Sequence, residues 1–113
     1  MTREYIEALG AAGTPVCDLL RRIFPVYQAS YGDRFLLNGG TYTHDPSAIG
    51  YVLDPGLFRT EHLALTVVTS GESAGQIKTA EHVPGSPRRH AVCVDVDSPR
   101  LLTLIRQRAL GQG

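Results

Sequence analysis

The sequence predicts an α/β fold in which helices come first, followed by a small three-stranded sheet and a closing helix. Apolar residues recur every three or four positions in residues 14–27 and 98–110, the spacing that places them on one face of a helix. They alternate with other residues in 62–69 and 90–96, the pattern of a strand with two different faces. Glycine and proline clusters separate these segments, so we expect loops between them.

The N-terminal part of the chain predicts two helices. Residues 2–9 form a short helix that ends at Gly10. Thr14 is expected to cap the second helix and Pro15 to take its first position, where the N–H that proline lacks would be unpaired anyway. Pro25 lies inside the apolar pattern of this second helix, where a proline removes a hydrogen bond and clashes with the preceding turn. We therefore expect either a kink or the end of the regular helix near this proline.

A loop and a third helix are predicted next. Residues 31–41 contain three glycines and no clear periodicity, which indicates a loop that could close over a ligand. The segment Thr43-His44-Asp45-Pro46 then predicts a helix start. Because proline disfavours the helical conformation for the residue before it and suits the first turn, we expect Asp45 at the cap. Backbone N–H groups at such a start favour negative charge.

Three strands are predicted in the second half of the chain, followed by the closing helix. Turn-forming residues separate the strands. Asp97 or Ser98 is expected to cap the closing helix, which carries an apolar stripe as far as Leu110. The predicted strands cover residues 62–69, 76–83 and 90–96.

Length and composition limit the kind of protein. A chain of 113 residues with 42% hydrophobic residues is expected to form one domain over residues 1–113. Its eleven basic and eleven acidic residues balance, so no overall charge attracts nucleic acid or a membrane surface. Cys17 and Cys93 lack metal-ligand spacing and are expected to be buried, reduced thiols. The N-terminal segment has no secretory pattern and no apolar run could cross a membrane, so we expect a cytoplasmic protein.

The run HDPSAIGYVLDPGLF, residues 44–58, resembles the segment that carries the active-site His-Asp-Pro in the inosine-uridine-preferring nucleoside hydrolases. These metal-dependent enzymes cut the N-glycosidic bond of ribonucleosides to give ribose and a free base. The similarity extends from residues 13–16 to residues 94–97 and covers the C-terminal third or so of such an enzyme. The resemblance therefore implies a partial domain, the C-terminal part of a Rossmann-like nucleoside hydrolase fold, with a ribonucleoside as the substrate.

The resemblance implies roles for four residues. His44 would protonate the departing base, a role that suits imidazole because this group exchanges protons near neutral pH. Asp45 would bind a Ca²⁺ that holds the ribose hydroxyls and the attacking water, since a hard cation prefers oxygen ligands. Tyr27 and Tyr31, four residues apart, would contact the nucleobase. The alternative for both tyrosines is that they pack against a neighbouring element.

The calcium site implied by the resemblance is incomplete in this sequence. Calcium takes about six to eight oxygen ligands, and the family supplies most of them from an Asp-x-Asp cluster at the end of its first strand. The acidic residues of this chain are scattered and form no such cluster. We therefore expect no catalysis by the chain alone, and whether it acts as an enzyme stays open.

Three functions remain open on the sequence. The first is a nucleoside hydrolase segment, catalytic within a longer polypeptide or beside a complementing N-terminal chain. The second is a non-catalytic remnant or small scaffold that keeps this fold and binds a partner through exposed apolar surface. The third is an unrelated binding module whose His-Asp-Pro only starts a helix. An incomplete core would also favour homo-oligomers. Three other histidines show no ligand spacing and are expected at the surface or at strand edges: His62, His82 and His90.

Overall fold

The computed structural model describes residues 1–31, 40–79 and 89–112 of the chain. In these ranges, four α-helices and a short 3₁₀ helix accompany four strands, which confirms the α/β class. None of these helices combines the length and the apolar character that a membrane crossing requires. The helices are α1 (Arg3–Gly10), α2 (Pro15–Tyr31), α3 (His44–Leu53) and α4 (Ser98–Ala109), with the 3₁₀ helix at Pro55–Leu57. The strands are β1 (Phe58–Leu63), β2 (Leu65–Val67), β3 (Ile77–Thr79) and β4 (His90–Val96).

The chain divides into two compact units. The helical unit comprises Met1–Leu57 and Asp97–Gly113, and the strand unit comprises Phe58–Val96. All four α-helices therefore belong to one unit and all four strands to the other. That residues 1–113 form a single domain stays a prediction.

Two helix starts follow the hydrogen-bonding signals that the sequence contains. At the start of α2, the Cys17 N–H donates to Thr14 Oγ1 at 3.2 Å. At the start of α4, the Arg100 N–H donates to Asp97 Oδ1 at 3.1 Å. Each bond satisfies an N–H group that a helix start leaves unpaired. The predicted caps Thr14 and Asp97 are therefore confirmed.

Helix α2 continues through Pro25 as far as Tyr31. The alternative in which the helix ends near this proline is therefore wrong. Pro25 cannot donate to the carbonyl of Arg21, one turn earlier. Both residues are exposed, so water can hydrogen-bond to that carbonyl oxygen.

The core of the helical unit lies where α1, α2 and α4 meet. Leu9, Cys17 and Ala109 are buried there in one cluster, as predicted for Cys17. The Ala109 carbonyl accepts hydrogen bonds from Thr14 Oγ1 at 3.2 Å and from Cys17 Sγ at 3.6 Å. These bonds satisfy a carbonyl in the last turn of α4 that has no partner within its own helix. A Cβ at Gly10 would lie 2.6 Å from Cδ of Arg21, so glycine at this position allows α1 to approach α2 closely.

Tyr5 joins α1 to α4 by a hydrogen bond from its hydroxyl to the Leu102 carbonyl at 2.6 Å. We expect Tyr5→Phe to lower the free energy of unfolding by about 1 kcal/mol, the usual net contribution of one such bond. Urea unfolding followed by circular dichroism measures this loss. An unchanged free energy of unfolding in Tyr5→Phe would show that the bond contributes nothing to stability.

The same residue gives the stability a pH dependence in the alkaline range. Burial is the main cause that raises the pKa of Tyr5 above its ordinary value of 10.0. The folded protein therefore keeps the phenol proton to a higher pH than the unfolded chain does. The free energy of unfolding should fall as the pH rises above 10.0, and it should fall less steeply in Tyr5→Phe.

The strand unit consists of two antiparallel pairs in its described residues. β1 pairs with β4, with Phe58 opposite Val96 at one end of the ladder. β2 pairs with β3, with Val67 opposite Ile77. In the turn that joins β2 to β3, Gly75 has φ +92°, a conformation that glycine adopts without steric strain.

The predicted three-stranded sheet is wrong, because the described strands form two separate two-stranded sheets. The segment 62–69 is interrupted at Ala64, and the residues on either side of the interruption pair with different strands. The predicted strand 76–83 is confirmed at Ile77–Thr79, and its residues 80–83 lie outside the described residues. The strand 90–96 is confirmed. Cys93 on this strand is exposed, so the prediction of burial is wrong for this thiol. Most residues of β4 are exposed, so the apolar alternation of this strand does not mark a buried face around Cys93.

Candidate active site

The candidate site is built on the start of α3, which lies two residues earlier than predicted. The helix begins at His44, and Thr43 is the residue that precedes its first turn. The Ser47 N–H donates to the Thr43 carbonyl at 2.9 Å, and the two side-chain hydroxyls lie 3.1 Å apart. The Ser47 hydroxyl also donates to the Thr43 carbonyl. This paired arrangement closes the first turn, so the prediction of Asp45 as the cap is wrong.

Pro46 fits this earlier start because it becomes the third residue of the helix. The first N–H groups of a helix have no partner within the helix, so a proline at the third position costs no hydrogen bond. His44 and Asp45 lie together at the N-terminal end of the helix, as the sequence predicts, but they belong to its first turn instead of preceding it. Unpaired N–H groups and the helix dipole at this end favour a nearby negative charge.

The imidazole of His44 lies beside an aromatic ring. The ring centroids of Tyr42 and His44 are 5.6 Å apart, with an angle of 33° between the ring planes. The side chains of His44 and Asp45 are both exposed. An exposed imidazole at a helix start can exchange a proton with a bound molecule, and the neighbouring Tyr42 ring restricts the orientations open to it.

A cavity of about 250 Å³ lies between α2 and the start of α3. Ile6, Ile23 and Phe24 contribute apolar walls to this cavity. Aromatic rings come from Tyr27 and Tyr42, and a carboxylate comes from Asp45 (all three line the cavity). Small-molecule sites commonly combine such apolar and aromatic walls with few polar groups, so the cavity is a candidate binding site.

The structure brings together two of the four residues to which the sequence assigns roles. Tyr27 of α2 and Asp45 of α3 line the same cavity although 17 residues separate them along the chain. His44 is the neighbour of Asp45 and contacts the Tyr42 ring. Tyr31 is the last residue of α2, and its side chain lies outside the described residues. The catalytic and binding roles of all four residues stay predictions.

Tyr42, to which the sequence assigned no role, both lines the cavity and contacts His44. One signal could have found it. Tyr42 lies two residues before the histidine, in the short segment that leads into α3, where an aromatic ring can reach back to the first turn. The spacing alone does not distinguish this contact from exposure to solvent.

The described residues do not by themselves fit a calcium ion. Among them, no group of three or more histidine, cysteine or acidic side chains is placed to hold a metal. Asp45 is the one carboxylate among the described residues that line the cavity. Since calcium takes about six to eight oxygen ligands, Asp45 could be one ligand of a larger site, with the others coming from elsewhere.

The remaining histidines offer no second site in the described part of the chain. His62 lies opposite Ala91 in β1, and His90 lies opposite Leu63 in β4. Both side chains are exposed, as predicted for strand residues at the surface. His82 lies outside the described residues.

Comparison with known proteins identifies relatives of the chain. The family model for the inosine-uridine preferring nucleoside hydrolases matches residues 1–103. The pyrimidine-specific ribonucleoside hydrolase RihA of Klebsiella pneumoniae is 26% identical over 105 residues, which are 91% of this chain and 34% of the relative. RihA of Salmonella newport is 27% identical over 108 residues, which are 94% of this chain and 35% of the relative.

A solved structure shows the same fold. A purine-preferring ribonucleoside hydrolase from Gardnerella vaginalis superposes with a TM-score of 0.80 at 25% identity. The match covers 98% of this chain and 35% of that one, so the chain spans about a third of the length of the relatives it matches. The likeness confirms the predicted C-terminal segment of a nucleoside hydrolase fold and excludes an unrelated binding module. The chain belongs to the family of inosine-uridine preferring nucleoside hydrolases.

Proposed function

We propose that this chain forms the His-Asp-bearing part of a nucleoside hydrolase that cleaves the N-glycosidic bond of purine or pyrimidine ribonucleosides. The observation that supports this proposal is the placement of Tyr27 and Asp45 on one cavity, beside His44, within a fold that matches a ribonucleoside hydrolase over 98% of the chain. Relatives named for pyrimidine and for purine substrates match to similar extents. The proposal therefore includes both kinds of base.

The roles proposed for His44 and Tyr27 rest on the positions of their side chains, and the role proposed for Tyr31 rests on the family resemblance. His44, exposed in the first turn of α3, would donate a proton to the base as the glycosidic bond breaks. Tyr27, in the wall of the cavity, would pack against the flat face of the base, and Tyr31 would contact the base from the end of α2. These contacts would hold the nucleoside with its leaving group near the imidazole.

Asp45 would supply one oxygen ligand to a calcium ion, which in the complete enzyme would hold the ribose hydroxyls and the attacking water. Asp45 lines the cavity and lies in the first turn of α3, where unpaired N–H groups favour negative charge. A carboxylate in this place would offer an oxygen ligand to a cation and would accept hydrogen bonds from a polar sugar. The other ligands would come from acidic residues in a part of the fold that residues 1–113 do not contain.

The proposal has a second form in which the chain is not catalytic. Several large apolar side chains of α2 and α3 are exposed, and such a surface suits a small scaffold that binds a partner. A chain of this kind would keep the fold and would lack hydrolysis in every assembly. In both forms we place the protein in the cytoplasm, the compartment that the sequence predicts.

A fusion protein separates the two forms. Residues 1–113 replace the matched third of the Klebsiella pneumoniae RihA, so that the acidic residues of the relative and the His-Asp of this chain occur in one polypeptide. We expect the fusion to hydrolyse inosine or uridine in the presence of calcium, and we expect residues 1–113 alone to show no hydrolysis at millimolar calcium. A folded fusion without activity would favour the scaffold, and activity in the isolated chain would contradict the proposed division of the site.

A further inference from the structure

His44 lies next to the cavity between α2 and α3, yet it is not one of the described residues that line it. Both neighbours of His44 along the chain, Thr43 and Asp45, do line the cavity. The side chain of His44 is exposed. Because a proton donor must come within hydrogen-bond distance of the group that it protonates, another residue has to direct this imidazole towards a molecule in the cavity.

Tyr42 contacts both the cavity and the imidazole. It lines the cavity, and its ring centroid lies 5.6 Å from the ring centroid of His44, with 33° between the ring planes. Aromatic rings attract each other in offset or tilted arrangements at such distances. The tyrosine ring therefore restricts the imidazole to orientations beside the wall of the cavity.

The backbone is held on both sides of Tyr42. Thr41, which precedes it, is 3% exposed, and its N–H donates to the Met1 carbonyl at 2.8 Å. The carbonyl of Thr43, which follows it, accepts a hydrogen bond from the Ser47 N–H at 2.9 Å. Tyr42 itself is 45% exposed, so part of its ring remains accessible. A ring placed in this way can contact a ligand without losing its contact with the imidazole.

We propose that Tyr42 is a positioning residue whose ring holds the His44 imidazole at the edge of the cavity, where it reaches the departing base. This inference rests on the proposed function. One ring then borders the cavity and fixes the direction of the proton donor. The aromatic ring carries this role, and the tyrosine hydroxyl does not.

Proton NMR spectra of residues 1–113 test the ring contact without any substrate. The ring current of Tyr42 should displace the Hδ2 and Hε1 signals of His44, and Tyr42→Leu should move both signals towards their positions in an unstructured chain. Tyr42→Phe is the matched control, because it keeps the ring and should leave both signals nearly unchanged. His44→Ala identifies the two signals by their loss. Circular dichroism verifies that each variant remains folded.

Steady-state kinetics of the fusion protein test whether the contact serves the reaction. Tyr42→Leu should lower kcat by roughly 10–10²-fold, because even a small displacement of a catalytic group can cost about 10²-fold. Tyr42→Phe should keep most of the kcat. Tyr27→Leu should instead raise KM, because Tyr27 lines the cavity from α2 and its proposed contact is with the base.

A double variant separates positioning from a general structural effect. When His44 is already alanine, Tyr42→Leu should lower kcat no further, because a positioning residue acts through the group that it positions. An equal loss of kcat with and without the His44 imidazole would overturn the inference. So would a Tyr42→Leu variant with a raised KM and an unchanged kcat, since Tyr42 would then be only a wall of the cavity.

The NMR comparison can also contradict the inference by itself. Unchanged His44 signals in Tyr42→Leu would show that the two rings do not hold each other. A loss of kcat in Tyr42→Phe as large as in Tyr42→Leu would assign the effect to the hydroxyl. A folded fusion that hydrolyses no nucleoside would count against the proposed reaction alone, and the His44 signals would still decide whether Tyr42 positions the imidazole.

Discussion

Replacing His44 with alanine in the fused hydrolase should lower kcat by roughly 10²–10⁴-fold, the usual contribution of a positioned general acid. The departing base takes the electrons of the glycosidic bond, and without a proton donor it leaves as a high-energy anion. KM should change little, because the proposed contacts of the nucleoside with Tyr27 and the apolar walls of the cavity would remain. Steady-state kinetics with inosine and uridine measure both constants.

The leaving group provides the sharper test of this role. A riboside whose leaving group is already stable as an anion, such as p-nitrophenolate, needs little help from a proton donor. His44→Ala should therefore slow hydrolysis of p-nitrophenyl riboside much less than hydrolysis of inosine. An equal loss on both substrates would show that His44 does not act as the acid.

His62→Ala is the control for this experiment. Both histidines are exposed, but His62 lies in β1, opposite Ala91 of β4. Its replacement should leave kcat and KM unchanged. A rise in KM with an unchanged kcat in His44→Ala would instead assign this side chain to substrate binding.

Features decided by neighbouring residues could be predicted from the sequence. Thr14 and Asp97 each bind an N–H three residues later, so the information for these helix starts lies within a few positions. The start of α3 could not be predicted in the same way. Pro46 is compatible with several positions in the first turn, and the contacts between Thr43 and Ser47 decide among them.

The strand pairing could not be predicted because it depends on residues far apart in the chain. In the pairing of β1 with β4, Phe58 lies opposite Val96. The alternation of apolar residues in either segment does not indicate which strand it pairs with. The interruption at Ala64 could not be predicted from the sequence either, because apolar residues continue to alternate across it. Local patterns indicate extended backbone, and the pairing then follows from packing.

The candidate site was predicted in part through the family resemblance. The His-Asp-Pro segment drew attention to residues 44 and 45, and the structure shows that Tyr27 lies on the same cavity as Asp45. No spacing rule connects these two positions, because they lie on different helices, Tyr27 on α2 and Asp45 on α3. Tyr42 was missed for the related reason that its ring contact with His44 depends on the backbone ahead of α3.

Replacing Leu9 with alanine should lower the free energy of unfolding by about 2–5 kcal/mol, the cost of a large-to-small change in a close-packed core. Leu9 is 1% exposed and packs in one cluster with Cys17 and Ala109. The three residues come from α1, α2 and α4. Truncation of the Leu9 side chain would leave a cavity among these three helices, and filling it would require all three to shift.

The consequence should be large for a protein of this size. Small domains have total free energies of unfolding of only about 5–15 kcal/mol, so this loss would remove a substantial fraction of the stability. Helix α2 contributes Cys17 to the cluster and also carries Tyr27, so a disturbed core would also affect the candidate site. Urea unfolding measured by circular dichroism gives the value. Val26→Ala is the control: Val26 is 75% exposed on the same helix as Cys17, and its truncation should change stability by no more than about 0.5 kcal/mol. If the two variants lost equal stability, the cluster around Leu9 would not be the part of the helical unit that holds it together.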